Sequence, residues 1–230
     1  MKKIVVLLLI AALAVGLMAP LTASAAKSGG WEINTKVGNY LTKAEKAVFA
    51  KATDKLEGVS YTPVYTIAKQ TVSGTNYAFF CQAKVVLPKA TPTWKIVIVN
   101  VDTEGEVKIL AVNNFNYKKI KTRNSAYKSN LIGGWVYNGK TSSSKGLPSA
   151  AKKAFKQATE GYVGVTFTPL ALLGTQVVSG KNYMFLCRGV AADISGTASL
   201  YEVVVYQNAN GKSKITGCEI INMPKYLQVK

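Results

Sequence analysis

The side chains that ordinarily do acid–base or metal chemistry are scarce in this chain. It has no histidine, so no imidazole can act as base for a serine or cysteine nucleophile or bind a metal. Its three cysteines, Cys81, Cys187 and Cys218, show no C-x-x-C spacing, and its 11 acidic residues are scattered. The expectation is a protein that is not an enzyme and that uses no cofactor and no metal. One stretch imitates a phosphate-binding loop: Gly134-Trp-Val-Tyr-Asn-Gly139-Lys140-Thr141 satisfies G-x-x-x-x-G-K-[ST]. A loop of that kind follows a buried strand and opens a helix, whereas this stretch precedes a serine-rich loop at 142–144. The equivalent stretch from Gly30 to Lys36 has lost the pattern, so chance explains the match.

Non-covalent recognition is better served, by a phrase that occurs twice. Gln70-Thr71-Val72-Ser73-Gly74-Thr-Asn76-Tyr77 returns as Gln176-Val177-Val178-Ser179-Gly180-Lys-Asn182-Tyr183. Glycine lets the chain turn tightly and the β-branched residue stiffens the strand entering the turn, so each copy makes a preformed blunt edge. Such an edge loses little entropy on docking. Good hairpin chemistry accounts for the glycines; it does not account for Gln, Val, Ser, Asn and Tyr all recurring.

The elements that must hold these hairpins are themselves duplicated. Gly29-Gly30-Trp31 answers to Gly133-Gly134-Trp135, Phe49-Ala-Lys-Ala52 to Phe155-Lys-Gln-Ala158, and Gly58 to Pro63 answers to Gly164 to Pro169. The spacing from Trp to the following Phe is longer in the second copy, where a loop near 142–144 absorbs the extra residues. Each copy starts with one helix. In the first, Thr42 and Glu45 form a capping box ahead of an apolar face of Phe49, Ala52, Leu56 and Val59. In the second, Pro148 starts the helix and Phe155, Ala158, Tyr162 and Val165 form the face. Strand-like runs follow near 61–72, 75–87, 93–101 and 106–116, with turn residues at Ser73-Gly74, Glu104-Gly105 and Asn210-Gly211. The fold class is therefore α+β: two domains, at 26–125 and 126–230, each with one helix across a four- to five-stranded antiparallel sheet and each closing its own core.

With these residues in view, the chain resembles a tandem pair of cystatins, the inhibitors of papain-like cysteine proteases. The family's hairpin motif Q-x-V-x-G is matched in full by Gln70 to Gly74 and by Gln176 to Gly180. Cystatins also carry a glycine near the domain start after an apolar trunk. Leu131-Ile132-Gly133-Gly134 resembles that trunk, and Ser28-Gly29-Gly30 resembles it in its glycines. The resemblance implies a three-part wedge that occludes the protease cleft: trunk, hairpin and a last-hairpin loop that often holds Pro-Trp. The corresponding loops here, Val101 to Gly105 and Gln207 to Gly211, have no Pro-Trp. Trp94 lies at the opposite end of the sheet, and Trp31 and Trp135 are open to a wedge role or a structural one.

Charge and the chain's start complete the expectations. The formal net charge is +18, almost entirely from lysine, with arginine at Arg123 and Arg188. That favours loose attraction to anionic surface polymers, densest at Tyr117 to Arg123, or simply solvated lysine faces, and suggests no specific nucleic-acid partner. Met1-Lys2-Lys3, the apolar run to Ala19 and Ala23-Ser24-Ala25 have the form of a signal peptide cleaved near Ala25, implying a secreted or periplasmic protein without a membrane span. Cys81 and Cys187 fall at equivalent inward strand positions of separate copies; either all three thiols are free or one disulfide forms. The function expected is protease inhibition, with a non-inhibitory binder of an anionic polymer or a protein as the alternative.

Overall fold

The computed structural model describes residues 29–34, 41–88, 90–115, 133–137, 146–193, 196 and 198–229. The segment 1–25 expected to be a signal peptide, Leu131 and Ile132 of the expected trunk, the basic stretch 117–123, the loop 142–144 and the end of the phosphate-loop look-alike lie outside the described residues.

Within them the copies match element for element. The first has β1 (Trp31–Ile33), α1 (Lys43–Thr53), β2 (Val59–Val72), β3 (Gly74–Val85), β4 (Thr93–Val101) and β5 (Val107–Asn114). The second has β6 (Trp135–Tyr137), α2 (Ser149–Thr159), β7 (Val165–Val178), β8 (Gly180–Ala191), β9 (Ala198–Gln207) and β10 (Ser213–Ile220), followed by a 3-10 turn at Met223–Tyr226. The strands form two five-stranded antiparallel sheets, ordered β1-β2-β3-β4-β5 and β10-β9-β8-β7-β6. The α+β class expected from the periodicity is the one observed, and each sheet is built from one copy alone.

The helices are shorter than their apolar periodicity suggested. The capping box forms as expected: Glu45 N donates to Thr42 Oγ1 at 3.1 Å and Thr42 N donates to Glu45 Oε2 at 2.8 Å. However, α1 stops at Thr53, leaving Leu56 largely exposed, and Val59 opens β2. Likewise α2 stops at Thr159, where Gly161 takes a positive φ, so Tyr162 is exposed and Val165 opens β7. Both helices end because the chain must turn back through Gly58 or Gly164, each at positive φ, to enter the sheet.

The main departure from expectation concerns the core. In β3, Phe79 and Cys81 pack under α1 with Phe49, Val97 and Val99, while Ala78 and Phe80 point the other way. In β8, Phe185 and Cys187 pack under α2 with Phe155, Val203 and Val205, while Met184 and Leu186 point away from it. These opposite faces meet each other. Ile67, Phe80, Trp94, Ile96 and Ile98 of the first copy join Leu173, Met184, Leu186, Leu200 and Val204 of the second in one continuous core. The molecule is a helix–sheet–sheet–helix sandwich: each copy closes a core under its own helix, as expected, and a third core, not expected, joins the two sheets. The physical reason is that sheet residues on both sides of the pleat are apolar, and one helix covers one face. Trp94 Nε1 donates to Leu173 O at 3.1 Å across the seam, and Phe80 stacks on Trp94 at 4.7 Å. The C-terminal segment straps the seam: Asn113 Nδ2 of β5 donates to Tyr226 O and Gln228 O, each at 2.9 Å.

All three cysteines are free. Cys81 and Cys187 lie buried under different helices. Cys187 on β8 and Cys218 on β10 are separated by β9, opposite Tyr201 and Val203 respectively. Two strand spacings put their Cα atoms about 10 Å apart, beyond the reach of about 7 Å that a disulfide allows. Burial pushes the Cys81 and Cys187 thiols well above their ordinary pKa. A thiol titration without reductant should therefore count three in denaturant, with Cys218 reacting first in the native protein. A count of one would show a disulfide and overturn this placement.

Glu45 ties α1 to its sheet. The side chain is buried, and Lys69 Nζ of β2 lies 3.0 Å from its Oε1. Burial pushes its pKa up, but the Thr42 amide and Lys69 outweigh that and hold it below the ordinary carboxylate value. Its stabilisation is present above the unfolded-state pKa and fades as pH falls through the lower folded-state value. Glu45→Gln should cost about 1 kcal/mol near neutrality, as lost caps do. The difference from wild type should vanish well below pH 4.5, the ordinary value, which urea melts at neutral and acid pH will show.

Candidate functional site

At one end of each sheet three segments converge. In the first sheet Ser73 stands between the paired residues Val72 and Gly74 at the β2–β3 tip. Gly29 lies on one side of this tip, with its N donating to Thr71 O at 3.1 Å. The β4–β5 turn lies on the other: a Cβ on Gly74 would sit 2.1 Å from Val101 O and 2.7 Å from Asp102 Cα. Gly74 also has φ 104°, so backbone angle and close approach both require glycine. The second sheet repeats this. Gly133 N donates to Val177 O at 2.8 Å, and a Cβ on Gly180 (φ 118°) would lie 2.3 Å from Gln207 O.

The polar residues of the repeated phrase form a hydrogen-bonded ladder across the strands. Gln70 Nε2 donates to Gly29 O at 2.8 Å, Asn76 Nδ2 to Gln70 Oε1 at 2.7 Å, and Asn100 Nδ2 to Asn76 Oδ1 at 2.8 Å. In the second copy Gln176 Nε2 donates to Gly133 O at 2.9 Å and Asn182 Nδ2 to Gln176 Oε1 at 2.6 Å. Tyr206 replaces Asn100 there and donates its hydroxyl to Ser179 O, bracing the tip itself. Tyr77 and Tyr183 stack on Phe79 and Phe185 at 5.8 and 6.3 Å, under Lys69 and Lys181.

Gln, Gly, Asn and Tyr thus recur because the sheet end needs them, which corrects the expectation that the fold accounts for the glycines alone. The fold leaves a crest unused: Thr71, Val72 and Ser73 in the first copy, Val177 and Ser179 in the second, are exposed, with Val178 half-buried. Gly30 and Gly134 lead into β1 and β6. Trp31 and Trp135, next in line, pack against the shared core, which decides for their structural role. Trp94 pairs with Gln82, at the far end of the sheet from the tip as expected, and is buried in the seam. Neither trunk residue, Leu131 nor Ile132, is among the described residues.

Sequence reasoning missed the third element's rigidity. Asp102 Oδ1 accepts from Glu104 N and Glu106 N at 3.1 and 2.8 Å, and Asn208 Oδ1 accepts from Lys212 N at 2.9 Å. Asp or Asn followed three residues later by glycine was the available signal, since these side chains close a turn on their own backbone.

The two tips sit at opposite ends of the sandwich. Trp31, paired with Gln70 beside the first tip, lines a cavity of about 480 Å³ with Leu200, Ile220 and Met223. Leu200 pairs with Arg188 and Ile220 with Tyr201, at the end of the second sheet remote from Gly180. Among the described residues no group of three or more His, Cys, Asp or Glu side chains could hold a metal, and no helix is long and apolar enough to cross a membrane.

No protein-family model matches this chain, and no curated protein matches it in sequence. The geometry itself offers an edge for contact: an exposed hairpin crest, held by its own ladder, between a glycine and a closed turn.

The ladder makes a stability prediction. Gly74→Ala should lose about 1–3 kcal/mol, the usual cost of a forced backbone conformation. Gln70→Ala, which strips Asn76 and Gly29 of a partner, should lose about 1–2 kcal/mol. Ser73→Ala at the crest should stay within about 0.5 kcal/mol of wild type. Equal urea midpoints for all three would show that the tip does not depend on the ladder.

Proposed function

We propose that this is an exported inhibitor of papain-like cysteine proteases, each repeat entering a protease cleft with the tip of its sheet in the manner of a cystatin. The observation that carries this reading is the convergence, at one end of each sheet, of the domain-start glycine, the Q-x-V-x-G hairpin and the last turn. They match in place the trunk glycine, the hairpin and the last loop that the cystatin resemblance implies. A crest fixed by hydrogen bonds within its own sheet is rigid before contact, so docking sacrifices little conformational freedom. Inhibition requires no chemistry from the protein itself: the crest fills the cleft and excludes substrate.

Without Pro-Trp, the third part of each wedge is a polar turn, at 102–106 and 208–212. The apolar contribution falls to Val72, Val177 and Val178 at the hairpins and, in the second copy, to Leu131 and Ile132 ahead of Gly133. One such side chain fully buried is worth about 1.5–3 kcal/mol. The second tip, with its trunk, is therefore expected to be the stronger. Because the tips are opposed, one chain has room for a protease at each end.

A second reading, a non-inhibitory binder of anionic surface polymers, draws support from the outer helix faces. Lys43 and Lys46 on α1 and Lys152, Lys153 and Lys156 on α2 are all exposed.

The test is titration of papain-like proteases with the intact protein from residue 26 onward, since the shared core makes separate halves unsuitable. Inhibition is expected, and Val72→Ser together with Val178→Ser should weaken it by tenfold or more, equivalent to about 1.4 kcal/mol, without moving the melting temperature. No inhibition at micromolar concentrations, alongside salt-sensitive retention on a sulfated polysaccharide, would favour the second reading.

A further inference from the structure

We infer that the two tips have diverged to take different partners, the first a protease whose cleft rim is basic and the second one whose rim is apolar or acidic. This rests on the protease reading above and concerns the choice of target at each end. Residues at equivalent places of the two matching sheets differ. Glu32 on β1 corresponds to Val136 on β6, and Thr71 on the crest to Val177. Thr75 just past the tip corresponds to Lys181, and the turn residues Asp102, Glu104 and Glu106 correspond to Asn208, Asn210 and Lys212.

The first tip thus carries four of the chain's 11 acidic residues, in a protein of net charge +18. They flank the hairpin crest from both sides, Glu32 at the β1 edge and the other three in the β4–β5 turn. The second tip has none at these places. It offers exposed Val136 and Val177, 40% and 47% accessible, with Lys181 paired to Val177 and Lys212 in the turn on the other side of the tip.

The fold does not require the difference. Asp102 and Asn208 close their turns with the same side-chain bond, to Glu106 N at 2.8 Å and to Lys212 N at 2.9 Å. Gly105 N and Gly211 N make matching backbone bonds to Asp102 O and Asn208 O at 3.2 and 3.0 Å. The two turns have one shape and opposite charge. Lys51 does not cancel the acidic side, because its pair with Glu106 spans 3.5 Å at 54% and 76% side-chain exposure, a weak contact in water. The tips lie at opposite ends of the sandwich, farther apart than the screening length of about 8 Å at physiological salt, so each presents its own field.

The experiment uses the intact chain with one tip blocked at a time: Ser179→Phe leaves the first tip working, Ser73→Phe the second. Association rates are measured against two papain-like proteases chosen for a basic and an acidic cleft rim, across a range of salt. The first tip should bind the basic-rimmed protease about tenfold faster than the second tip does at low salt, with the advantage lost at high salt. Grafting the second turn onto the first tip, by Glu32→Val, Asp102→Asn, Glu104→Asn and Glu106→Lys, should abolish that preference. Equal rates and equal salt dependence for both tips against both proteases would overturn the divergence and leave the inhibitor reading standing. If neither tip inhibits any papain-like protease, the inhibitor reading falls and this inference with it.

Discussion

Everything in this molecule follows from sheets that are apolar on both faces. A helix of three turns can cover one side of a five-stranded sheet, and α1 and α2 do so over Phe79 and Cys81 and over Phe185 and Cys187. The remaining faces, led by Phe80, Trp94, Ile96 and Ile98 in one copy and Met184, Leu186 and Leu200 in the other, have only each other to exclude water. Duplication supplied a second sheet with the same unmet need, and the sandwich is its solution. The Trp94–Leu173 hydrogen bond satisfies the one polar atom of that indole within the seam.

Burying that seam also decides where the sheet ends point. Trp31 and Trp135 each sit one strand from a tip and pack into the shared core, anchoring the first strand of each sheet. Because the tip end of one sheet overlies the remote end of the other, the crests are presented in opposite directions. Neither crest is shielded by the other copy.

The tips themselves show how little of a recurring motif need be functional. Gln70 and Gln176 use their amides to hold a glycine on one side and an asparagine on the other, and Gly74 and Gly180 make room for the neighbouring strand's carbonyl. What faces solvent is a few residues, and those differ between the copies in charge and polarity.

The local order was legible in the sequence, because helix caps, turns and strands are written in short-range chemistry. Thr42 and Glu45 announced the start of α1, glycines marked the hairpins, and the β-branched runs marked the sheets. The duplicated phrase marks the sheet ends. The sandwich was not anticipated, although Ala78 to Cys81 and Ile96 to Val99 are unbroken apolar runs, the pattern of strands buried on both sides. Alternation within one copy says which residues share a face, and it cannot say what covers that face when the cover is a distant part of the chain. The roles of Gln70, Asn76 and Asn100 were equally hidden. Their bonds join residues on three strands, and only the register of the folded sheet brings those side chains together.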